Sequence, residues 1–292
     1  MEKLSIFGGT GFIGKRYLER YPDNVLIKRN SNFPETKDSL YLISTTNNYN
    51  VFSDLHLDID TNLMKFMSVL KNSKGTMNFI SSWFVYGEGH GNQFNAAHED
   101  SAKNPTGFYS ITKSCAEDLL ISYSKTFNKN YRIIRLCNVI GGDPGFGKKK
   151  NALEFLVDKI VKNEDVEIYD GDNYRNYLHV DDVCDAIKLI VENGDLNEVY
   201  NVGSNVSHRL IDLMYYVKEV SESESKIKLV RTPKFHEIVQ TKDFFMNTNK
   251  LKGLGFFEKY TIYEVLNRLI IKNLRNNAEE KLTEYVEFRE SK

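Results

Sequence analysis

Short apolar runs separated by helix-length amphipathic stretches organise the first half of the chain. Leu4-Ser5-Ile6-Phe7, Val25-Leu26-Ile27, Leu40-Tyr41-Leu42-Ile43, Met77 to Ile80 and Tyr131 to Leu136 are the apolar runs. Each is too short for a stable helix and reads as a strand buried on both faces. Between them, Gly11 to Leu18, Asp60 to Leu70 and Ser110 to Tyr123 have helical spacing, with Leu63, Phe66, Met67 and Leu70 on one face. Alternating strand and helix predict a parallel sheet covered on both sides.

Beyond residue 140 the pattern loosens. Gly141-Gly142-Asp143-Pro144-Gly145 signals a loop. Lys148-Lys149-Lys150 then reads as a solvated loop or as a run near phosphates. Leu153 to Val161, Val183 to Val191 and Leu210 to Val220 read as helices, and Val166 to Tyr169, Val199 to Val202 and Ile227 to Val230 as strands. Leu274 to Lys292 is highly charged and reads as an exposed helix or a frayed end. No internal repeat is present.

Composition narrows the partners. Lys plus Arg number 39 and Asp plus Glu 40, so bulk charge gives no drive toward nucleic acid or an anionic membrane. No apolar run approaches the roughly 20 residues that span a bilayer, and the start, Met1-Glu2-Lys3-Leu4, shows no signal peptide. Cys115, Cys137 and Cys184 form no CxxC pair and are expected as buried reduced thiols, which suits the cytoplasm. The six His show no metal-ligand spacing, so no metal site is expected.

Chemistry enters at Gly8-Gly9-Thr10-Gly11-Phe12-Ile13-Gly14, directly after the first strand. Gly8 permits a tight turn, Gly11 lets backbone approach a pyrophosphate, and Gly14 lets the helix pack close to the sheet. The pyrophosphate sits on the free N–H groups of the helix start, around Phe12 and Ile13. This predicts a dinucleotide site in a Rossmann-type, doubly wound parallel sheet. An NAD site places an acid about 20 residues on. Here that position holds Lys28, followed by Arg29. A cation attracts a 2′-phosphate, which favours NADP(H) over NAD(H).

Tyr109 and Lys113 are four apart, on one face of a helix. An ammonium so placed is expected to lower the phenol's pKa and fit it for acid–base work. Ser81-Ser82-Trp83-Phe84-Val85-Tyr86-Gly87 closes a buried strand at the sheet edge where ligands bind in this architecture. A hydroxyl there can grip a substrate oxygen beside Tyr109.

With these elements the chain resembles the extended short-chain dehydrogenase/reductase family, the sugar-nucleotide epimerases, dehydratases and reductases. Further motifs carry the resemblance: Arg135-Leu136-Cys137-Asn138-Val139-Ile140-Gly141, Arg175-Asn176-Tyr177-Leu178-His179-Val180-Asp181-Asp182, and Tyr200-Asn201-Val202-Gly203. It covers about residues 3 to 270. It implies Tyr109 as acid/base, Lys113 on the nicotinamide ribose, Ser82 as the catalytic hydroxyl, and Asn138 and Arg175 on the nucleotide diphosphate. Asp181 and Asp182 are expected to cap the following helix. The resemblance also implies a homodimer, in which the Tyr109 helix and the 60–70 helix pack against their copies. The expected organisation is a dinucleotide-binding α/β region over residues 1–150, a smaller mixed α/β region binding a nucleotide sugar over 151–273, and a charged tail over 274–292.

The sequence departs from the family in three places. Dehydratases of the family carry Thr-Asp-Glu where this chain has Ser82-Trp83-Phe84, so the acids that remove water are missing. Only about a dozen residues separate the second and third strands, where the family fits another strand and helix. His236-Glu237 stands in the segment where many relatives place a second phosphate-binding Arg. The expectation is an NADPH-dependent 4-ketoreductase of a nucleotide-linked keto sugar, with a 4-epimerase holding NAD as the alternative and a non-catalytic nucleotide sensor as a remote one.

Overall fold

The computed structural model describes residues 3–46, 48–141 and 151–290; the Lys148–Lys150 run lies outside them. Strand β1 (Leu4–Phe7) leads into helix α1 (Phe12–Arg20), followed by β2 (Val25–Leu26) and β3 (Asp38–Tyr41). One helical rod then comprises α2 (Leu57–Ile59), a π-helical stretch (Asp60–Met64) and α3 (Lys65–Leu70). Next come β4 (Met77–Ser82), α4 (Phe108–Phe127) and β5 (Tyr131–Leu136). The remainder supplies β6 (Asn138–Ile140), α5 (Ala152–Val161), β7 (Val166–Tyr169), β8 (Tyr174–His179), α6 (Val180–Asn193), β9 (Glu198–Val202), β10 (Ser207–Arg209), α7 (Leu210–Val220) and β11 (Ile227–Val230). Helices α8 (Lys234–Val239), α9 (Asn249–Gly253) and α10 (Ile262–Glu290) complete it.

Six parallel strands form the main sheet in the order β2-β1-β3-β4-β5-β9. Alternation along each strand feeds both faces. Leu4, Ile6, Leu40, Ile80 and Ile134 join the core shared with α1 and α6, while Phe7, Tyr41, Phe79 and Ile133 join the core shared with α3 and α4. The shortened second connection has a direct consequence. The chain crosses from β2 back over β1 to β3 without a helix, so the two-residue β2 is the sheet edge. The order of strands reverses beside β1, and the crevice at the carboxyl ends of β1 and β3 is where this architecture binds ligands. The sheets β10-β8-β6 and β11-β7 belong to the smaller mixed region, whose core unites α5, α7 and α10.

Strands β6, β8 and β10 were not readable as apolar runs: they are short and their motifs are polar. Helix α10 runs from Ile262 through the point where the charged tail was expected to begin, because Ile262, Val265, Leu266, Leu269 and Ile270 bury one face. Asp181 and Asp182 are not caps, which corrects the expectation. His179 holds the N-cap position of α6 and accepts from Asp181 N at 3.2 Å. Asp181 instead takes Arg16 Nε and Nη2 from α1 at 2.5 and 2.9 Å, and Asp182 Oδ2 takes the N–H groups of Lys259 and Tyr260. Cys137 and Cys184 are buried free thiols, but Cys115 is only half-buried.

On α4, Tyr109, Lys113, Glu117 and Leu120 recur every three or four residues and face the sheet. Arg135 of β5 clamps Glu117 through Nε at 3.1 Å and Nη2 at 2.8 Å, and Glu117 is fully buried. The same guanidinium donates to Tyr86 Oη at 2.8 Å, and Tyr86 donates to Asn201 of β9 at 2.6 Å. Removing one partner strands the other charge in the core. Arg135→Leu is expected to lower unfolding free energy by about 3 kcal/mol, read from the urea midpoint. A loss below about 1 kcal/mol, the scale of an exposed pair, would show that Lys103, at 3.5 Å from Glu117, suffices alone.

Candidate active site

The glycine loop is shaped by contacts no side chain could share. Gly8 has φ +85°, and a Cβ there would lie 2.9 Å from Ile43 N and Leu42 C. A Cβ on Gly14 would lie 2.4 Å from Gly8 O and 2.7 Å from Gly9 Cα, so only glycine lets α1 start this close to the strand. Gly11 caps α1 with its backbone alone, so the N–H groups around Phe12 and Ile13 face outward as donors for an anion. Ile27 N donates to Ile6 O at 3.0 Å, and Lys28 and Arg29 follow, exposed, at the same edge of the sheet.

Ser82 is the last residue of β4, and Tyr109 is the second residue of α4. Helix α4 starts where Gly107 N donates to Ser110 Oγ at 3.0 Å, and it stops at Asn128 with φ 50°, a conformation Asn tolerates. Ser82 and Ser44, the latter from the loop after β3, both act on the Tyr109 phenol. Phe84 sets its edge against the Tyr109 ring with centroids 6.1 Å apart, and Trp83 stacks on Phe84 at 4.1 Å. The positions beside the acid/base candidate are therefore aromatic and apolar.

The Tyr109 pKa corrects the expectation drawn from Lys113. Burial pushes it up, the Ser82 and Ser44 hydroxyls nearby pull it down, the Asp58 carboxylate adds to the rise, and the net direction is upward. Lys113 does not counter this, because its ammonium is engaged elsewhere. Nζ donates to Ile80 O at 2.5 Å and lies 4.1 Å over the Phe79 ring. Burial lowers the Lys113 pKa to about 7, against the opposing pull of Glu117.

Asn138 and Arg175 lie on β6 and β8, neighbours in the small sheet. Asn138 Nδ2 donates to Asn176 O at 2.9 Å. Arg175 Nη1 donates to Tyr174 O at 2.9 Å and to Lys242 O, and the guanidinium lies 6.0 Å from the Trp83 ring, on the Ser82 side of the molecule. Burial pushes its pKa down, and among the described residues no carboxylate pairs with it. His236 is buried in an aromatic cluster with Tyr49, Tyr169 and Phe235, and its Nε2 bonds Tyr49 Oη.

Ser44 was missed from the sequence. Its signal was the hydroxyl run Ser44-Thr45-Thr46 directly after a buried strand, the same logic that selects Ser82. Among the described residues no three His, Cys, Asp or Glu side chains cluster to hold a metal ion, and no helix is long and apolar enough to cross a membrane.

Comparison with known proteins agrees with the fold. Over 192 residues, 65% of this chain but 28% of the relative, the sequence is 30% identical to a trifunctional UDP-glucose 4,6-dehydratase/UDP-4-keto-6-deoxy-D-glucose 3,5-epimerase/UDP-4-keto-L-rhamnose-reductase of Arabidopsis thaliana. The structure is similar to that of RMD from Pseudomonas aeruginosa complexed with NADPH, with a TM-score of 0.81 at 22% identity, covering 94% of this chain and 100% of that one. It is equally similar to UDP-glucose 4-epimerase of Thermotoga maritima with UDP-glucose, with a TM-score of 0.81 at 21% identity, covering 94% and 99%. Residues 42–203, more than half of the chain and all of the segment from β3's extension to β9, match the NAD dependent epimerase/dehydratase family. The chain belongs to that family, and its Rossmann-type sheet is that of the extended short-chain dehydrogenases/reductases.

Proposed function

We propose that the protein is an NADPH-dependent ketoreductase acting at C4 of a nucleotide-linked keto sugar. The observation that carries this reading is the Tyr109 phenol, on which Ser82 acts, set beside the apolar Trp83–Phe84 wall. Loss of water from the neighbouring carbons needs an acid and a base there, and two aromatic rings are neither. Reduction of a ketone needs only a proton donor and a grip on the oxygen.

The glycine cradle and the side-chain-free start of α1 fit a dinucleotide pyrophosphate, and Lys28 and Arg29 suit the 2′-phosphate of NADP(H) better than the bare hydroxyl of NAD(H). Bound there, the nicotinamide supplies a hydride to the sugar carbon. Tyr109 gives its proton to the carbonyl oxygen, so C=O becomes CH–OH, and the phenolate regains a proton from solvent. The upward push on its pKa keeps Tyr109 protonated at neutral pH, the form that reduction consumes. Ser82 Oγ holds the oxygen, and Lys113, its ammonium seated on Ile80 O, is assigned to the nicotinamide ribose rather than to the phenolate. A half-buried guanidinium with no carboxylate at ion-pair distance among the described residues, only Asp243 and Glu88 acting from further off, can still take up an anion, which supports Arg175, with Asn138, as the diphosphate site. The buried free thiols suit a reducing cytoplasm.

Tyr109→Phe is expected to lower turnover by about 100- to 10,000-fold while NADPH binding stays within about twofold. Unchanged turnover would refute the acid assignment. The purified protein, denatured, is expected to release no nicotinamide nucleotide, and the native protein to bind NADPH more tightly than NADH. Stoichiometric NAD that survives dialysis would replace this reading with the 4-epimerase, whose cycle regenerates its cofactor in place. The homodimer reading is supported by Ile59, Met64, Phe108 and Ile111, which are 40%, 60%, 41% and 46% exposed on the mutually packed 57–70 and α4 helices. Sedimentation is expected to give a dimer that Ile111→Glu dissociates; a wild-type monomer would remove the inference.

A further inference from the structure

Behind Tyr109 lies a second polar group that the proposed reaction does not use directly. Asp58 and Asn62 are four apart on the helical rod, and they continue toward α2 the buried stripe of Phe66, Val69 and Leu70. That position calls for an apolar residue. Asp58 is nevertheless only 1% exposed and Asn62 2%, whereas Leu57, Ile59 and Asp60 beside them point outward. Among the described residues no cation pairs with Asp58. Its carboxylate accepts only from Thr45 Oγ1 and from Asn50 Nδ2, the latter at 3.2 Å. A buried carboxyl without a counter-ion is expensive.

The bonds from Asp58 lead to Tyr109. Thr45 Oγ1 donates to Asp58 and accepts from Asn62 Nδ2 at 2.8 Å. Thr45 N at 3.0 Å fixes the orientation of the Asn62 amide by donating to Oδ1. That oxygen also accepts from Ser44 Oγ at 3.0 Å, and Ser44 is among the groups that act on the Tyr109 phenol, while Thr112 Oγ1 donates to Tyr109 O at 3.0 Å. From its other side Asn62 Nδ2 donates to Thr112 Oγ1 at 2.9 Å, three residues from Tyr109 on α4. Asn62 reaches both partners from within the π-helical stretch, a distortion that recurs at functional sites.

We propose that Asp58 is a positioning residue for Tyr109, acting through Thr45, Asn62 and Ser44 to orient the hydroxyl that partners the phenol and to set a fixed negative charge behind it. This rests on Tyr109 being the proton donor of the proposed reduction. The groups facing Tyr109 are Ser82 from β4, Ser44 from the loop after β3, Asp58 from α2, and Lys113 on its own helix, whose ammonium is turned to Ile80 O with Glu117 one turn behind. Asp58 is thus the one carboxylate bearing on the phenol among these groups. A negative charge there holds the proton on Tyr109, the state in which a donor starts.

The test compares the pH profile of NADPH-dependent reduction in wild type and Asp58→Asn. The alkaline limb, where Tyr109 loses its proton, is expected to move down by about 0.5–1 pH unit in the variant, with KM little changed. A limb that stays in place while turnover falls at every pH would overturn the proposal, because a structural role lowers activity without moving a titration. If Asp58→Asn does not fold, Thr45→Val decides. It removes the linking hydroxyl and is expected to lower kcat about tenfold with KM within about twofold, and a kcat equal to wild type would overturn the proposal. Wild-type protein that reduces no keto sugar would defeat the proposed function instead, which separates the two failures.

Discussion

The rotation of α4 about its axis is the setting on which the site depends, and the Glu117–Arg135 clamp fixes it. Two turns separate Glu117 from Tyr109 on the same face. A carboxylate held by two donors of one guanidinium, itself seated in a central strand, permits little freedom to the helix that bears it. Tyr109 therefore arrives at the carboxyl end of β4 beside Ser82, and Lys113 arrives beneath Ile80. Because Arg135 also reaches Tyr86 and through it Asn201, the loop after β4 and strand β9 are tied to the same clamp.

Much of this was legible in the residues. Every strand of the main sheet appears as a short apolar run, since a strand buried on both faces must be apolar at both parities. The glycine loop was legible because its contacts exclude a Cβ at Gly8 and Gly14. The shortened link between β2 and β3 was legible by counting. Strands β6, β8 and β10 were not, because their polar residues are satisfied by neighbours distant in sequence, as Asn138 is by Asn176. The direction of the Tyr109 pKa was also hidden. Spacing places Lys113 on the right face, but it cannot tell that a backbone carbonyl takes the ammonium while burial acts on the phenol. Ser44 and Asp58 lie 65 and 51 positions before Tyr109, and only the fold brings them to it.

The chemistry then follows from what surrounds one phenol. Burial and a carboxylate hold its proton against the opposing pull of the neighbouring serines, and the balance favours the protonated acid. The wall beside it is Phe84 on Trp83, with no group to carry a proton to or from a neighbouring carbon. On the proposed reading, the exposed cations at the end of β2 and the Arg175 guanidinium at β8 take the anionic parts of the ligands. An acid that starts protonated and an apolar neighbour are the needs of a reductase.

The most direct test of that account is the fate of the transferred hydrogen. NADPH labelled with deuterium at the reactive nicotinamide carbon would be supplied with a nucleotide-linked 4-keto-6-deoxyhexose, and the product sugar examined by NMR. The expected result is one deuterium at sugar C4 for each NADPH consumed. Unlabelled product, untouched NADPH, or interconversion of 4-epimers without added cofactor would contradict it.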